Sequence, residues 1–202
     1  MSDFFAAFAL PRHLNVDLPA LEKSFYAQSR KLHPDRFASK PAAEQEAALA
    51  QSSLLNDAYR TLRDPIARTQ HLLALEGVEL EEQSKSATEA ARTSGTEKKQ
   101  LIPPELLEEV FELNMQLMEM KAAKEFGDEA DPALKRDLES AAQSFNRKMS
   151  ETQRELESLW AQWDEAQDET TKSAAKDALV ALLNKRSYLR NLVRDVNEVL
   201  AA

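Results

Sequence analysis

Residues 131–166 carry a largely apolar stripe that leaves the chain few choices of fold. Leu134, Leu138, Ala141, Phe145, Met149, Thr152, Leu156, Leu159 and Trp163 recur three or four positions apart, the spacing of one face of an α-helix. Asp131-Pro132 opens the run with an N-cap and a proline that a first turn tolerates. Unbroken to Ala166, the helix is about 50 Å long at a rise of about 1.5 Å per residue. A stripe of that length has to be buried against other helices, and two more are legible. One runs from about Glu105 to Glu125. The other runs from about Lys172 to Leu200 and repeats the pattern in Leu179, Leu182, Leu183, Leu189, Val193, Val196 and Leu200. Three such stripes predict an antiparallel bundle.

The N-terminal part reads as four shorter helices. Asp3 to Ala9 is an apolar turn or two stopped by Pro11. Asp17 caps LPALEKSFYAQSRKL, with Pro19 in its first turn. Leu21, Phe25 and Leu32 share one face of that helix, and Lys23 and Arg30 lie nearly opposite, in solvent. Pro34 ends it, because the residue before a proline is pushed out of the α region, and a loop, DRFASK, follows. A third helix opens at Pro41 and runs to Arg63, with Ala48, Ser52, Leu55, Tyr59 and Leu62 facing inward. Asp64-Pro65 starts the fourth, closed by Gly77. With only 3 glycines, few β-branched residues and 30 % charged residues, the whole chain is expected to be all-α. Its divisions are an N-terminal helical module at 1–78, a polar linker at 79–103 and a C-terminal bundle at 104–202. Within the linker, EEQSKSATEAARTSGTEKKQ (81–100) has no large apolar residue to bury.

Charge separates the two modules. Residues 1–77 hold 9 Lys/Arg and 9 Asp/Glu, whereas 78–202 hold 17 against 26 and carry the whole net charge of −9. That excess argues against nucleic acid as a partner of the C-terminal part. The absence of cysteine excludes disulfides, a thiolate nucleophile and cysteine-ligated metal. No apolar run approaches the roughly 18 residues of a spanning helix, and MSDFFAAFALPRHL has an early Asp3 and no basic lead-in, unlike a targeting peptide. The expectation is a cytoplasmic protein with no membrane partner.

Chemistry is sparse. His13, His33 and His71 form no HxxxH or HExxH pair, so no metal site is expected. His33, Asp35 and Ser39 lie on one loop of a helical hairpin with no glycine-rich oxyanion nest beside them. Phosphate-loop and dinucleotide patterns are missing, and no cofactor is expected. What remains is a surface: His33-Pro34-Asp35 at the tip of a hairpin, with Lys23, Arg30 and Arg36 as a basic face beside it.

Residues 21–68, with HPD between two helices and then LLNDAYRTLRDP, resemble a J-domain, the module that activates DnaK-class chaperone ATPases. More narrowly, FALP at 8–11, HPDRFA at 33–38 and the string Arg68, Leu72, Leu73, Leu75 and Gly77 resemble the HscB-type co-chaperones of iron–sulfur cluster assembly. The Gly/Phe-rich and zinc-binding regions of general DnaJ-type proteins are missing. The resemblance implies that His33, Pro34 and Asp35 engage an HscA-like ATPase, that Lys23, Arg30 and Arg36 steer docking onto its acidic surface, and that the partner, not this chain, hydrolyses ATP. The chain is thus expected not to be an enzyme.

The first C-terminal helix has more apolar residues than one seam needs. Leu106, Val110, Leu113, Leu117 and Met120 span one face. Leu107, Phe111, Met115 and Met118 lie farther round, edged by Glu108, Glu112 and Glu119. Either the helix is buried on two sides, or it exposes an apolar strip with an acidic rim of the kind that binds a partner. The resemblance implies the second, with the iron–sulfur scaffold protein as client and Leu107, Phe111, Glu112, Glu119 and an aromatic contact, Tyr188, as client-binding residues. Two departures stand out. Glu108 replaces the family's methionine, and Asn114-Met115-Gln116 replaces its REE segment. They leave open a J-domain adapter with a different client. A structural coiled-coil protein with a vestigial J-domain is a third reading, and the intact HPD counts against it.

Overall fold

The computed structural model describes residues 2–78, 103–126 and 131–201. Among them the protein is all-α, with seven α-helices and no strand: α1 (Phe4–Ala7), α2 (Leu18–Lys31), α3 (Ala42–Arg63), α4 (Pro65–Leu75), α5 (Leu107–Phe126), α6 (Pro132–Glu165) and α7 (Glu169–Ala201). The linker expected at 81–100 lies outside the described residues.

Aspartate opens most of these helices. Asp3 accepts from the amide N–H groups of Phe5 and Ala6, Asp17 from Ala20, and Asp64 from Ala67. Asp131 accepts from Ala133 and Asp168 from Thr171. Each carboxylate fills donors that a first helical turn leaves without partners and complements the helix dipole. Gly77 closes α4 with φ +78°, a conformation that suits a residue without Cβ.

The described residues gather into two compact units. One comprises those up to 78 together with 158–180; the other comprises those of 103–157 together with 181–201. Residues 158–180, assigned on sequence to the C-terminal bundle, thus pack with the N-terminal helices.

In the first unit, Phe5, Leu14, Leu21, Leu55, Leu62, Leu72 and Leu73 are buried, as are Trp160, Trp163 and Leu179 from the end of α6 and the start of α7. The Asp164 carboxylate accepts from the Leu14 and Asn15 amides at 2.7 and 2.8 Å, and the Trp163 indole N–H donates to the Arg12 carbonyl at 3.4 Å. Arg68 is buried on α4. Its Nε donates to the Leu14 carbonyl at 2.8 Å, a second nitrogen donates to the Leu62 carbonyl, and the guanidinium lies 5.8 Å from the centre of the Trp160 ring. Burial works against the Arg68 charge, and the Asp64 and Asp164 carboxylates oppose that loss.

The second unit is a three-helix bundle. Val110, Leu113, Leu117 and Met120 of α5, with Leu106 just before it, pack with Leu134, Leu138, Ala142 and Phe145 of α6. Tyr188, Leu189, Leu192, Val196 and Val199 of α7 complete the cluster. Ion pairs at its edge, Lys148–Glu109 (2.9 Å) and Lys185–Glu105 (3.2 Å), are half-exposed and contribute little next to the apolar seam.

His71 pins α1 to α4. Its ring is buried and stacks on Phe4 with centroids 4.3 Å apart, and Nε2 accepts from the Phe4 amide at 3.1 Å. An Nε2 that accepts carries no proton, and burial holds the imidazole below its ordinary pKa. Asp3 pulls it back up and Arg12 pushes it down. The unfolded chain therefore takes up the proton first as pH falls. Stability is full above the ordinary imidazole value of about 6.5 and declines as pH drops through it. We expect urea unfolding between about pH 8 and 5 to show this decline in the wild type and a shallower one in His71→Gln. Equal slopes in the two proteins would rule out the His71 contribution.

Candidate functional site

The HPD segment at the hairpin tip is an ordered turn that takes in the start of the DRFASK loop. Pro34–Arg36 forms one turn of 3-10 helix with His33 as its N-cap. Two features wind it. Pro34 fixes its own φ near the helical value, and the His33 Nδ1 accepts from the Asp35 amide at 3.3 Å. Arg36 and Phe37 then donate to the His33 and Pro34 carbonyls at 3.0 and 2.9 Å. His33, Pro34 and Asp35 are all exposed. The Asp35 carboxylate lies 3.4 Å from the same Nδ1, a contact that needs a proton on Nδ1 and is therefore an alternative to the amide hydrogen bond.

Lys23 and Arg30 on α2 and Arg36 in the turn are exposed, and none forms an ion pair with a described residue. Beneath them, Leu21 is buried while Phe25 and Leu32 are half-buried, and Phe25 stacks on Tyr59 of α3 at 4.2 Å. The α2–α3 hairpin is held from one side, and its cationic side is left to solvent. No hydrogen bond links Ser39 to His33 among the described residues, and no group of three or more His, Asp or Glu there is placed to hold a metal ion. No described helix is long and apolar enough to cross a membrane.

In the second unit, α5 is buried on one side only. Leu106, Val110, Leu113, Leu117 and Met120 are core, whereas Leu107, Phe111, Met115 and Met118 are 52, 70, 57 and 68 % exposed. At 3.6 residues per turn, positions 107, 111, 115 and 118 form one continuous strip. Glu108, Glu112 and Glu119 beside it are exposed and form no ion pair with a described residue. The structure thus exposes a four-residue apolar strip edged by carboxylates on the side of α5 away from the seam.

The co-chaperone protein HscB homolog of Bordetella petrii is 39 % identical to this chain over 89 residues, which are 44 % of this chain and 52 % of that protein. The match therefore spans about half the length of that curated relative. Among solved structures, chaperone HscB from Vibrio cholerae superposes with a TM-score of 0.59 at 23 % identity, over 98 % of this chain and 97 % of that one. Human co-chaperone protein HscB superposes with the same TM-score of 0.59 at 21 % identity, over 98 % and 82 %. The resemblance to the HscB-type co-chaperones is borne out. No protein-family profile matches the chain.

Within this HscB-type fold one expected site residue lies away from the strip. Tyr188, which the resemblance implies as an aromatic client contact, is 8 % exposed in the core of the bundle. Burial, and then the Asp195 charge, push its phenol pKa up. Tyr188 is packing, and it does not extend the strip. Asp164 and Trp160, which join the end of α6 to the N-terminal helices, were not singled out from sequence. Asp164 followed Trp163 on a charged stretch, and no periodicity marks a carboxylate that caps amides 150 residues away.

The two faces of α5 should separate cleanly in melting experiments. Leu113→Ala, in the seam, should cost on the order of 2–5 kcal/mol. Leu107→Ser with Phe111→Ser should change stability by no more than about 0.5 kcal/mol per site. A double variant that melts as early as Leu113→Ala would show the strip to be core.

Proposed function

We propose that the protein is a co-chaperone that stimulates ATP hydrolysis by a DnaK-class, HscA-like chaperone and delivers the iron–sulfur cluster scaffold protein to it. One observation carries the reading: an exposed, self-wound His33-Pro34-Asp35 turn beside three cations, Lys23, Arg30 and Arg36, that no described carboxylate neutralises. Free cations on one face raise the encounter rate with an acidic partner and lose that effect with salt. The turn then offers an imidazole and a carboxylate at fixed positions. The client reading rests on the strip of Leu107 and Phe111 with Glu112 and Glu119 at its edge. Work in the cytoplasm fits both partners.

The second reading, an adapter for a different client, rests on the exposed Glu108 and on Asn114-Met115-Gln116. These residues alter the rim and the middle of the strip, while the J-domain turn keeps its pattern.

His33→Gln should reduce stimulation of the chaperone's steady-state ATPase to its basal rate with helix content unchanged, because the ring lies outside both apolar stripes. A folded His33→Gln protein that still stimulates would remove the J-domain reading. Leu107→Ser with Phe111→Ser should lose scaffold binding, read by titration calorimetry, yet still stimulate ATP hydrolysis in the absence of scaffold. A stable wild type with no scaffold affinity would instead favour the different client.

A further inference from the structure

Two of the four apolar residues on the α5 strip are methionines, and they are the chemically reactive ones. Met115 and Met118 are 57 and 68 % exposed, whereas Met120 on the same helix is 2 % exposed in the bundle core and Met149 on α6 is half-buried. The chain contains no cysteine, so no thiol stands ready to intercept an oxidant before these thioethers do. Met118 follows Met115 by three positions, and Met115 follows Phe111 by four. The pair thus makes up the C-terminal half of a continuous surface.

We infer that Met115 and Met118 make this strip a peroxide-sensitive surface, whose partner docking is switched off by oxidation of their thioethers. The inference rests on the reading of the strip as a docking surface. In the step, a sulfur lone pair attacks one oxygen of hydrogen peroxide, an S–O bond forms and the O–O bond breaks. Sulfur gives up two electrons, and the departing hydroxide takes the proton from the transferred oxygen and leaves as water. Each sulfoxide replaces a soft apolar contact by a strong dipole that demands hydrogen bonds. Two such dipoles on one strip leave Leu107 and Phe111 as its remaining apolar contacts. The carboxylates of Glu112 and Glu119 offer acceptors only, so they cannot satisfy the new sulfoxide oxygens. Because neither residue is in the core, the switch acts without unfolding the bundle, and methionine sulfoxide reductases reverse it.

The test treats the full-length chain with hydrogen peroxide and measures three things: peptide mass spectrometry, retention on a hydrophobic-interaction column, and titration with the iron–sulfur scaffold protein. Met115 and Met118 should oxidise well before Met120 and Met149. Retention should fall in the wild type and not in Met115→Leu with Met118→Leu, a volume-conserving pair of changes. Scaffold affinity of the wild type should drop by at least about tenfold, whereas the ratio of treated to untreated affinity in the double variant should stay near one. Unchanged wild-type retention, or oxidation of Met120 as fast as Met115, overturns the switch whatever the client is. An oxidised wild type that binds scaffold as tightly as before overturns it as well. A retention shift confined to the wild type, with no scaffold binding before treatment, supports the redox-sensitive strip and sinks only the choice of client.

Discussion

The first unit depends on one buried cation. Arg68 sits on α4 and donates to the carbonyl of Leu14, just ahead of α2, and to that of Leu62, at the end of α3. Its guanidinium carbon lies over the ring of Trp160 from α6, 5.8 Å from the ring centre. A guanidinium suits this position because its donors form a rigid planar fork and its face stacks on aromatic rings. The Leu62 carbonyl belongs to the last turn of α3, where a helix leaves orphan acceptors, and the Leu14 carbonyl lies in the segment between α1 and α2, so one side chain satisfies backbone from two elements. Asp164 accepts from the Leu14 and Asn15 amides. The segment entering α2 is thus held at its amides by an acceptor and at its carbonyl by a donor. The α2–α3 hairpin that presents His33-Pro34-Asp35 starts from that fixed point.

Periodicity and capping chemistry made most of the fold readable. Asp17, Asp64 and Asp131 mark helix starts in the sequence and serve as caps in the structure. On α5 the sequence divided the apolar residues into two sets without saying whether both were buried, and the structure buries one and exposes the other. The remainder was not readable, for definite reasons. A stripe reports which face of a helix is apolar, but not how many neighbours that face meets. α7 contributes to a core shared with α5 and α6, so its buried face is wider than a single seam and takes in Tyr188, Leu192 and Val199 beside the expected Leu189 and Val196. The same limit hid the role of Trp160, which neighbours the expected Leu159 and is the more buried of the two.

The HPD turn and the α5 strip are built on opposite economies of order. The turn is wound by its own backbone and by the His33 imidazole, so in the proposed function it would meet its partner already shaped and lose little freedom in doing so. The strip is an ordinary helix face whose shape comes from the seam behind it. Changes in the turn should therefore act on recognition directly, whereas the strip can also be spoiled from within the bundle.

That last dependence limits which changes of length the chain can accept. The buried set, at 106 just ahead of α5 and at 110, 113, 117 and 120 on it, and the exposed set, at 107, 111, 115 and 118, differ by a single step at three places: 106 and 107, 110 and 111, 117 and 118. Deleting one residue inside the helix turns everything beyond it by about 100°. A deletion between Leu113 and Leu117 would carry Met118 into the place in the seam that Leu117 now fills. Core and exposed strip are thus two readings of nearly the same spacing, one frame apart. Substitutions can tune the strip one residue at a time, but length variation has to fall outside α5 if the protein is to keep an inside and an outside at all.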